Sequence, residues 1–164
     1  MNRDATYTIR ALEPTHEAIL SELLYQAIFV PAGSAPPSRD ILHSPELSKY
    51  VRGFGKSSDL GYLAFSETNQ PMGAAWLRLL TFPNVGYGYV DDGTPELTTA
   101  VMSEYRGRGI GTLLLERLFE KAKANYQSVS LSVWRENPAY RLYQRLGFET
   151  VKQNENDVVM LKRL

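Results

Sequence analysis

Glycines and arginines alternate in one short segment, Arg106-Gly107-Arg108-Gly109-Ile110-Gly111. Branched and apolar residues typical of a buried strand precede it from Leu97 to Met102. Apolar residues at helical spacing follow it as far as Lys123. The glycines therefore lie at a predicted helix N-terminus, where unpaired backbone N–H groups and the helix dipole favour an anion. Because glycine also allows close approach of the backbone, the segment predicts a phosphate or pyrophosphate site.

Two common phosphate-binding loops do not fit this segment. A Walker A loop needs Lys-Ser/Thr after its last glycine, and Thr112-Leu113 stands there instead. A dinucleotide fingerprint is Gly-x-Gly-x-x-Gly with an acidic residue about 20 positions later. Here the spacing is Gly-x-Gly-x-Gly, and the downstream region near Leu131 is apolar. A nucleotide-dependent phosphotransferase is disfavoured for the same reasons.

The segment from Arg106 to Gly111 instead resembles the Gln/Arg-x-x-Gly-x-Gly/Ala signature of the GNAT family of N-acetyltransferases. Glu96 to Met102 resembles the fourth strand of that family, and Asn137 to Phe148, which ends in Leu-Tyr-x-x-Leu-Gly-Phe, resembles its later helix. The clear resemblance covers residues 96–149, and the preceding part of the chain agrees in pattern only. Two motifs in the family's order are more specific than a glycine loop alone.

The resemblance implies an N-acetyltransferase that moves an acetyl group from acetyl-coenzyme A directly to a primary amine in a ternary complex. Backbone groups of β-strand residues would bind the pantetheine arm, and the glycine amides would hold the pyrophosphate. The implied cofactor-binding residues are Thr99, Ala100, Val101, Arg106, Gly107, Arg108, Gly109, Ile110, Gly111, Thr112, Asn137 and Tyr143.

Acetyl transfer to an amine requires that the amine lose a proton and the departing thiolate gain one. The chain has no cysteine, and its two histidines, His16 and His43, lie outside both motifs. The resemblance implies Tyr143 as the acid that reaches the coenzyme A sulfur and Glu96 as the base, directly or through water. For each residue a structural interpretation stays open, a packing tyrosine and an exposed strand-end carboxylate.

A non-catalytic module that senses acyl-coenzyme A is the alternative function, and the joint presence of Glu96 and Tyr143 favours catalysis. Asp91-Asp92 suggests a metal site, but adjacent strand residues point in opposite directions and no third ligand is near, so we expect a solvated turn and no metal. Tyr87 and Tyr89 fit a pocket lining or ordinary packing equally well.

Composition limits the remaining choices. With 164 residues, 43% hydrophobic and 22% charged, the chain suits one soluble domain over residues 1–164. Eighteen basic residues balance eighteen acidic ones, which disfavours nucleic acid or an anionic membrane as partner. No apolar run is long enough to span a membrane, and residues 1–10 lack the hydrophobic core of a signal peptide. We expect a cytoplasmic monomer or homodimer whose acceptor is a small-molecule or protein amine.

The pattern of elements predicts an α/β fold, with one mixed central sheet of about seven strands flanked by about four helices. Thr15 is predicted to cap the first helix, and Ser44 with Pro45 to begin a second. Asn137 is predicted to be the N-cap of the last helix and Pro138 its first residue, with Gly147 at C′.

Overall fold

The computed structural model describes residues 6–164, so the first five residues of the segment inspected for a signal peptide lie outside the described residues. Seven strands form one sheet in the order β1-β2-β3-β4-β5-β7-β6. The strands are β1 (Tyr7–Ala11), β2 (Leu60–Ser66), β3 (Pro71–Arg78), β4 (Glu96–Val101), β5 (Ser128–Trp134), β6 (Glu149–Gln153) and β7 (Asp157–Arg163). The α-helices within this range are α1 (Glu17–Ala27), α2 (Pro45–Ser48), α3 (Ile110–Ala122) and α4 (Ala139–Arg145). The predicted α/β fold is confirmed.

Neighbouring strands are antiparallel except for β4 and β5, which run parallel. Glu96 and Ser130 form the register pair that joins these two strands, and the Ser130 N–H donates to the Pro95 carbonyl at 3.0 Å. No other register pair links β4 to β5 in the described part of the chain. The strands therefore separate beyond this pair, and we call the space between residues 97–101 and 131–134 the β4–β5 gap.

The sheet buries an apolar core on each face. α3 covers one face through the residues Ile110, Leu114, Leu115, Leu118, Phe119 and Ala122. α1 covers the other face through Leu20, Leu23 and Leu24. Burying each leucine contributes about 2 kcal/mol, so the two helices fix the orientation of the sheet between them. Successive strand residues alternate between the two faces, and β4 accordingly places Leu97 in the α3-side core and Ala100 in the α1-side core.

The helix boundaries follow the predictions with two corrections, at the starts of the first and last α-helices. A short 3₁₀ turn at Pro14–His16 precedes α1, and its N-cap is Glu13, whose N–H donates to His16 Nδ1 at 3.0 Å. Thr15 lies inside this turn, so the prediction that it caps α1 is wrong. Ser44 does cap α2 and accepts a hydrogen bond from the Leu47 N–H.

The last helix begins one residue later than predicted and ends at the predicted glycine. α4 begins at Ala139, whose N–H donates to Asn137 Oδ1 at 2.9 Å. Asn137 therefore satisfies the first turn, while Pro138 occupies the cap position. Gly147 follows the helix with a φ of 90°, a left-handed conformation that glycine adopts without strain.

Candidate active site

The glycine–arginine loop, residues 106–111, connects β4 to α3. Gly107 and Gly109 have φ angles of 74° and 78°, so both positions favour glycine, and Gly109 is the N-cap of α3. A Cβ at either position would meet no other atom within 4 Å. The loop thus faces open space at the N-terminus of a 13-residue helix, and its unpaired N–H groups fit a pyrophosphate.

Both arginines of this loop are exposed and held by backbone carbonyls. Arg106 Nε donates to the Val101 carbonyl at 2.9 Å, and Arg108 Nη2 donates to the Glu104 carbonyl at 2.9 Å. The Arg108 guanidinium also lies 5.4 Å from the centroid of the Tyr105 ring. Neither arginine forms an ion pair with a described residue. Each keeps further N–H donors beside the loop, which suits an anionic ligand.

The edge of β4 that faces the gap carries backbone groups that pair with no neighbouring strand, although the Val101 carbonyl accepts a hydrogen bond from Arg106. Peptide groups along a strand alternate in direction, and Pro95 directs its carbonyl towards β5 while Met102 donates its N–H to Met72 in β3. By this alternation Thr99 and Val101 direct their peptide groups into the gap. Ala100 directs its peptide group towards β3. Of the three predicted pantetheine-binding residues, two therefore offer backbone groups on the correct side.

Glu96 is almost fully buried, with 3% of its surface exposed. Its Oε1 accepts hydrogen bonds from the Gly88 N–H at 2.7 Å and the Tyr50 hydroxyl at 3.1 Å, while Oε2 has no partner among the described residues. The interpretation of Glu96 as an exposed strand-end carboxylate is therefore wrong. Burial raises the pKa of Glu96, and the hydrogen bonds from Gly88 and Tyr50 oppose that rise.

Tyr143 is buried in the α3-side core, where its ring meets the Phe148 ring edge-on at 5.6 Å between centroids. Burial raises its pKa. Its hydroxyl forms no hydrogen bond with another residue of the described chain. Glu96 lies on the opposite face of the sheet, since it alternates with Leu97. Glu96 and Tyr143 therefore belong to opposite faces of the sheet.

The model of the Acetyltransferase (GNAT) family matches residues 24–148 of this chain. The chain belongs to the GNAT family of acetyltransferases. No curated protein matches it in sequence.

Solved structures resemble this GNAT chain over nearly its whole length. The PaiA N-acetyltransferase of Thermoplasma acidophilum in complex with coenzyme A has a TM-score of 0.68 and 21% identity, covering 97% of this chain and 99% of that one. The ribosomal-protein-S18-alanine N-acetyltransferase of Escherichia coli has a TM-score of 0.65 and 20% identity, covering 96% and 94%. Mutant forms of the spermidine/spermine N-acetyltransferase SpeG of Vibrio cholerae have a TM-score of 0.64 and 18% identity, covering 98% and 95%. At these identities the likeness shows a shared fold.

Tyr50 is a site residue of this GNAT chain that sequence reasoning missed. Its hydroxyl donates to Glu96 and accepts from the Tyr87 N–H at 2.7 Å, and its ring stacks on the Tyr87 ring. Burial raises the pKa of Tyr50, and the adjacent Glu96 adds to the rise. The available signal was the pair Gly86 and Gly88 among tyrosines, because a Cβ at Gly86 would overlap both Glu96 and Tyr50.

A buried ion pair holds Tyr50 in place and was also missed. Arg78 Nη2 lies 3.1 Å from Asp59 Oδ2, and both side chains are at most 4% exposed. Arg78 Nη1 donates to the carbonyls of Lys49 and Arg52, which flank the position of Tyr50. Nothing in the local sequence indicates this pairing, because Asp59 and the residues around Tyr50 reach Arg78 from separate segments.

Asp91 accepts hydrogen bonds within its own turn, whereas Asp92 accepts from the Phe82 N–H and the Tyr89 hydroxyl. Asp91 Oδ1 accepts from the Gly93 N–H and the Thr94 hydroxyl, both at 2.9 Å, and both aspartates are exposed. Within residues 6–164 no three histidine, aspartate or glutamate side chains are grouped as a metal site requires. No helix in this range has the length and apolar character needed to cross a bilayer.

Proposed function

We propose that this GNAT protein uses acetyl-coenzyme A to acetylate a primary amine by direct transfer within a ternary complex. The observation that carries the proposal is the β4–β5 gap, which leads from the glycine–arginine loop at one end to the buried Glu96 at the other. Acetyl-coenzyme A supplies an acetyl group activated as a thioester. The loop fits its pyrophosphate, and the peptide groups of Thr99 with the N–H of Val101 fit the amides of its pantetheine arm. The amide nitrogen of the half-buried Asn137, whose oxygen accepts from the Ala139 N–H, is a further donor for that arm.

Glu96 is the proposed base. Its Oε2 has no hydrogen-bond partner in the described structure and is the atom that accepts the amine proton, directly or through water. A pKa raised by burial brings a carboxylate closer to the pKa of an ideal base at neutral pH. The two hydrogen bonds at Oε1 hold the carboxylate in one orientation while Oε2 accepts the proton.

Tyr143 is the proposed acid. Because burial raises its pKa above the ordinary value of 10.0, the phenol stays protonated at neutral pH and is a hydrogen-bond donor to the departing thiolate. On the β4 side, the N–H group of Thr99 points into the gap and would stabilise the negative charge that develops on the thioester oxygen.

The acceptor is a small-molecule or protein amine. Two structural neighbours are a spermidine/spermine N-acetyltransferase and a ribosomal-protein-S18-alanine N-acetyltransferase, so the shared fold accommodates both kinds of amine. We further propose that the protein acts as a monomer or homodimer.

A screen for thiol release tests the proposal. Acetyl-coenzyme A is mixed with the protein and a panel of amines that includes butylamine, spermidine, amino acids and short peptides, with butanol as the unreactive control. We expect amine-dependent release of coenzyme A and N-acetyl products by mass spectrometry. Tight binding of coenzyme A without turnover on any amine would instead support the non-catalytic module.

A further inference from the structure

One face of β5 is lined with serines. Ser128, Ser130 and Ser132 alternate with Val129, Leu131 and Val133, which enter the α3-side core. Ser130 is the register partner of Glu96 in the parallel β4–β5 pair, so the serines share the face that carries Glu96. We call this row the serine face. It is the side of the sheet from which an acceptor would approach Glu96.

The serine face holds a buried polar atom without a partner. Ser130 is 0% exposed, and its Oγ forms no hydrogen bond within the described structure, a property it shares with Glu96 Oε2 on the neighbouring strand. Buried polar atoms in folded proteins are nearly always paired. Two unpaired ones on adjacent strands indicate a place where a polar ligand binds.

A carboxylate stands at the end of the serine face. Asp157 is half-buried and begins β7, where its register partner is Trp134. Its Oδ2 accepts hydrogen bonds from Ser132 Oγ at 2.7 Å and Asn154 Nδ2 at 3.2 Å. These two donors fix the carboxylate, and Oδ1 accepts no hydrogen bond from any described residue.

The surroundings of Asp157 leave its charge uncompensated. The adjacent Arg135 donates to the carbonyls of Asn154 and Glu155, and no ion pair joins it to Asp157 in the described chain. The ring of Trp134, the register partner, packs against Phe29 at 5.8 Å between centroids. A fixed carboxylate with a free oxygen beside an indole is a suitable environment for a cation.

Gly88 links this end of the site to Glu96. Its N–H donates to Glu96, and a Cβ at this position would lie 2.7 Å from the Leu131 carbonyl carbon and 2.9 Å from the Ser132 nitrogen. The backbone at Gly88 therefore lies directly on β5 between the base and the end of the serine face. Gly88 thus covers the stretch of β5 that separates the two carboxylates, which belong to the same face of the sheet.

We propose that Asp157 binds the ammonium form of the amine acceptor, a role that rests on the proposed function. A primary alkylamine with a pKa of about 10.4 is almost entirely protonated at neutral pH, so the form that arrives at the site is a cation. Asp157 Oδ1 accepts a charge-assisted hydrogen bond from this ammonium. The acceptor class is consequently a cationic amine rather than a weakly basic aromatic amine.

Nuclear magnetic resonance of the two indole N–H groups tests this binding without turnover. The chain has two tryptophans, Trp134 beside Asp157 and Trp76 in the core, where its Nε1 donates to the Tyr50 carbonyl. Coenzyme A-bound protein is titrated with butylammonium chloride, with butanol and sodium chloride as matched controls. We expect a saturable shift of the Trp134 signal with butylammonium alone, while Trp76 stays in place. If the Trp134 signal shows no saturable shift up to about 10 mM butylammonium, the proposal is overturned.

Variants separate ammonium binding from structural effects. Asp157→Asn keeps the shape and the acceptor oxygen for Ser132 but removes the charge, so we expect the butylammonium shift to be lost. Glu149→Gln removes an exposed carboxylate on β6 and is the matched control that keeps the shift. Thermal melting reports folding, and Asn154→Ala, which leaves the charge and one donor in place, is the second variant and should keep the shift with weaker binding. An unchanged shift in folded Asp157→Asn would reject the assignment.

Kinetics distinguish failure of this proposal from failure of the proposed function. On the best acceptor of the amine panel, Asp157→Asn should raise the acceptor KM by about tenfold or more, with kcat and coenzyme A affinity within about threefold of the parent. If no amine is acetylated, the proposed function fails while the titration still decides the role of Asp157. If amines are acetylated and Asp157→Asn leaves KM unchanged, only the role of Asp157 is rejected.

Discussion

Arg78 lies directly opposite Glu96 in the β3–β4 register, yet its guanidinium pairs with Asp59 and not with Glu96. Both residues belong to the same face of the sheet, so an Arg78–Glu96 ion pair would be geometrically natural. By engaging Arg78, Asp59 leaves Glu96 without a bound cation. Burial raises the pKa of Glu96, while hydrogen bonds to the carboxylate and the charge of Lys49 oppose that rise.

Replacing Asp59 by asparagine should therefore change both stability and the pH dependence of turnover. The buried Arg78 loses its partner, which costs about 3–5 kcal/mol in the free energy of unfolding. Arg78 then interacts more strongly with Glu96, lowers its pKa and moves the acidic limb of the pH–rate profile to lower pH. Urea denaturation and steady-state kinetics measure the two effects. Glu120→Gln, which breaks an exposed pair with Lys123, is the control and should change neither.

Glu96→Gln should separate catalysis from stability. The amide keeps an oxygen for Gly88 and Tyr50 but accepts no proton, so turnover should fall roughly a hundredfold or more while coenzyme A affinity is retained. The folded-state pKa of Glu96 lies above the ordinary 4.5, so its contribution to stability is full below about pH 4.5 and is lost as pH rises through the folded-state pKa. Glutamine removes that loss, and the melting temperature at neutral pH should stay equal or rise. Full activity would transfer the role of base to water or to the free amine.

Tyr143→Phe removes one hydroxyl from a packed ring. The edge-on contact with Phe148 is retained, so folding and coenzyme A affinity should be nearly unchanged. If the hydroxyl donates to the departing thiolate, turnover falls roughly ten- to a thousandfold in steady-state kinetics. Tyr140→Phe, a change on the same helix at a partly buried position, is the control. Normal turnover of a folded Tyr143→Phe would make this residue a core tyrosine.

Gly111→Val tests the pyrophosphate site with little backbone strain. Gly111 lies in the first turn of α3 without a positive φ, and a Cβ there would meet Val101 Cγ2 at an ordinary 3.5 Å. The protein itself should tolerate the side chain, whereas a bound pyrophosphate should not. Calorimetry should show coenzyme A affinity falling at least about tenfold, or about 1.4 kcal/mol. Leu113→Val places a β-branched residue at an exposed position of the same turn and should bind normally.

Local patterns in the sequence were enough to predict the strand, loop and helix around residues 96–122. The apolar spacing of α3 and the left-handed positions of Gly107 and Gly109 depend on neighbours within a few residues. Asn137 near the start of α4 and Gly147 after its end were also predictable, because they too depend on neighbouring residues. Two phosphate-loop alternatives were excluded on residue spacing alone.

The environment of Glu96 was not predictable from local patterns. Its burial results from Tyr50 and Gly88, which approach from other parts of the chain, and its missing counter-ion results from Arg78 bonding to Asp59. Likewise, Asp157 meets Ser132 only because β7 pairs with β5. Contacts between distant segments leave no periodic signal in one sequence, so these residues became visible only in the folded chain.

Because β4 and β5 share one register pair, the sheet consists of two halves that are joined there. Strands β1 to β4 form one half, and β5, β7 and β6 form the other. The Glu96–Ser130 register pair connects the two halves. A pantetheine arm lying in the gap would complete the missing ladder as an eighth, non-peptide strand. Bound coenzyme A would then join the two halves of the sheet through hydrogen bonds. Amide hydrogen exchange at Thr99 and Val101 should slow sharply when coenzyme A is added.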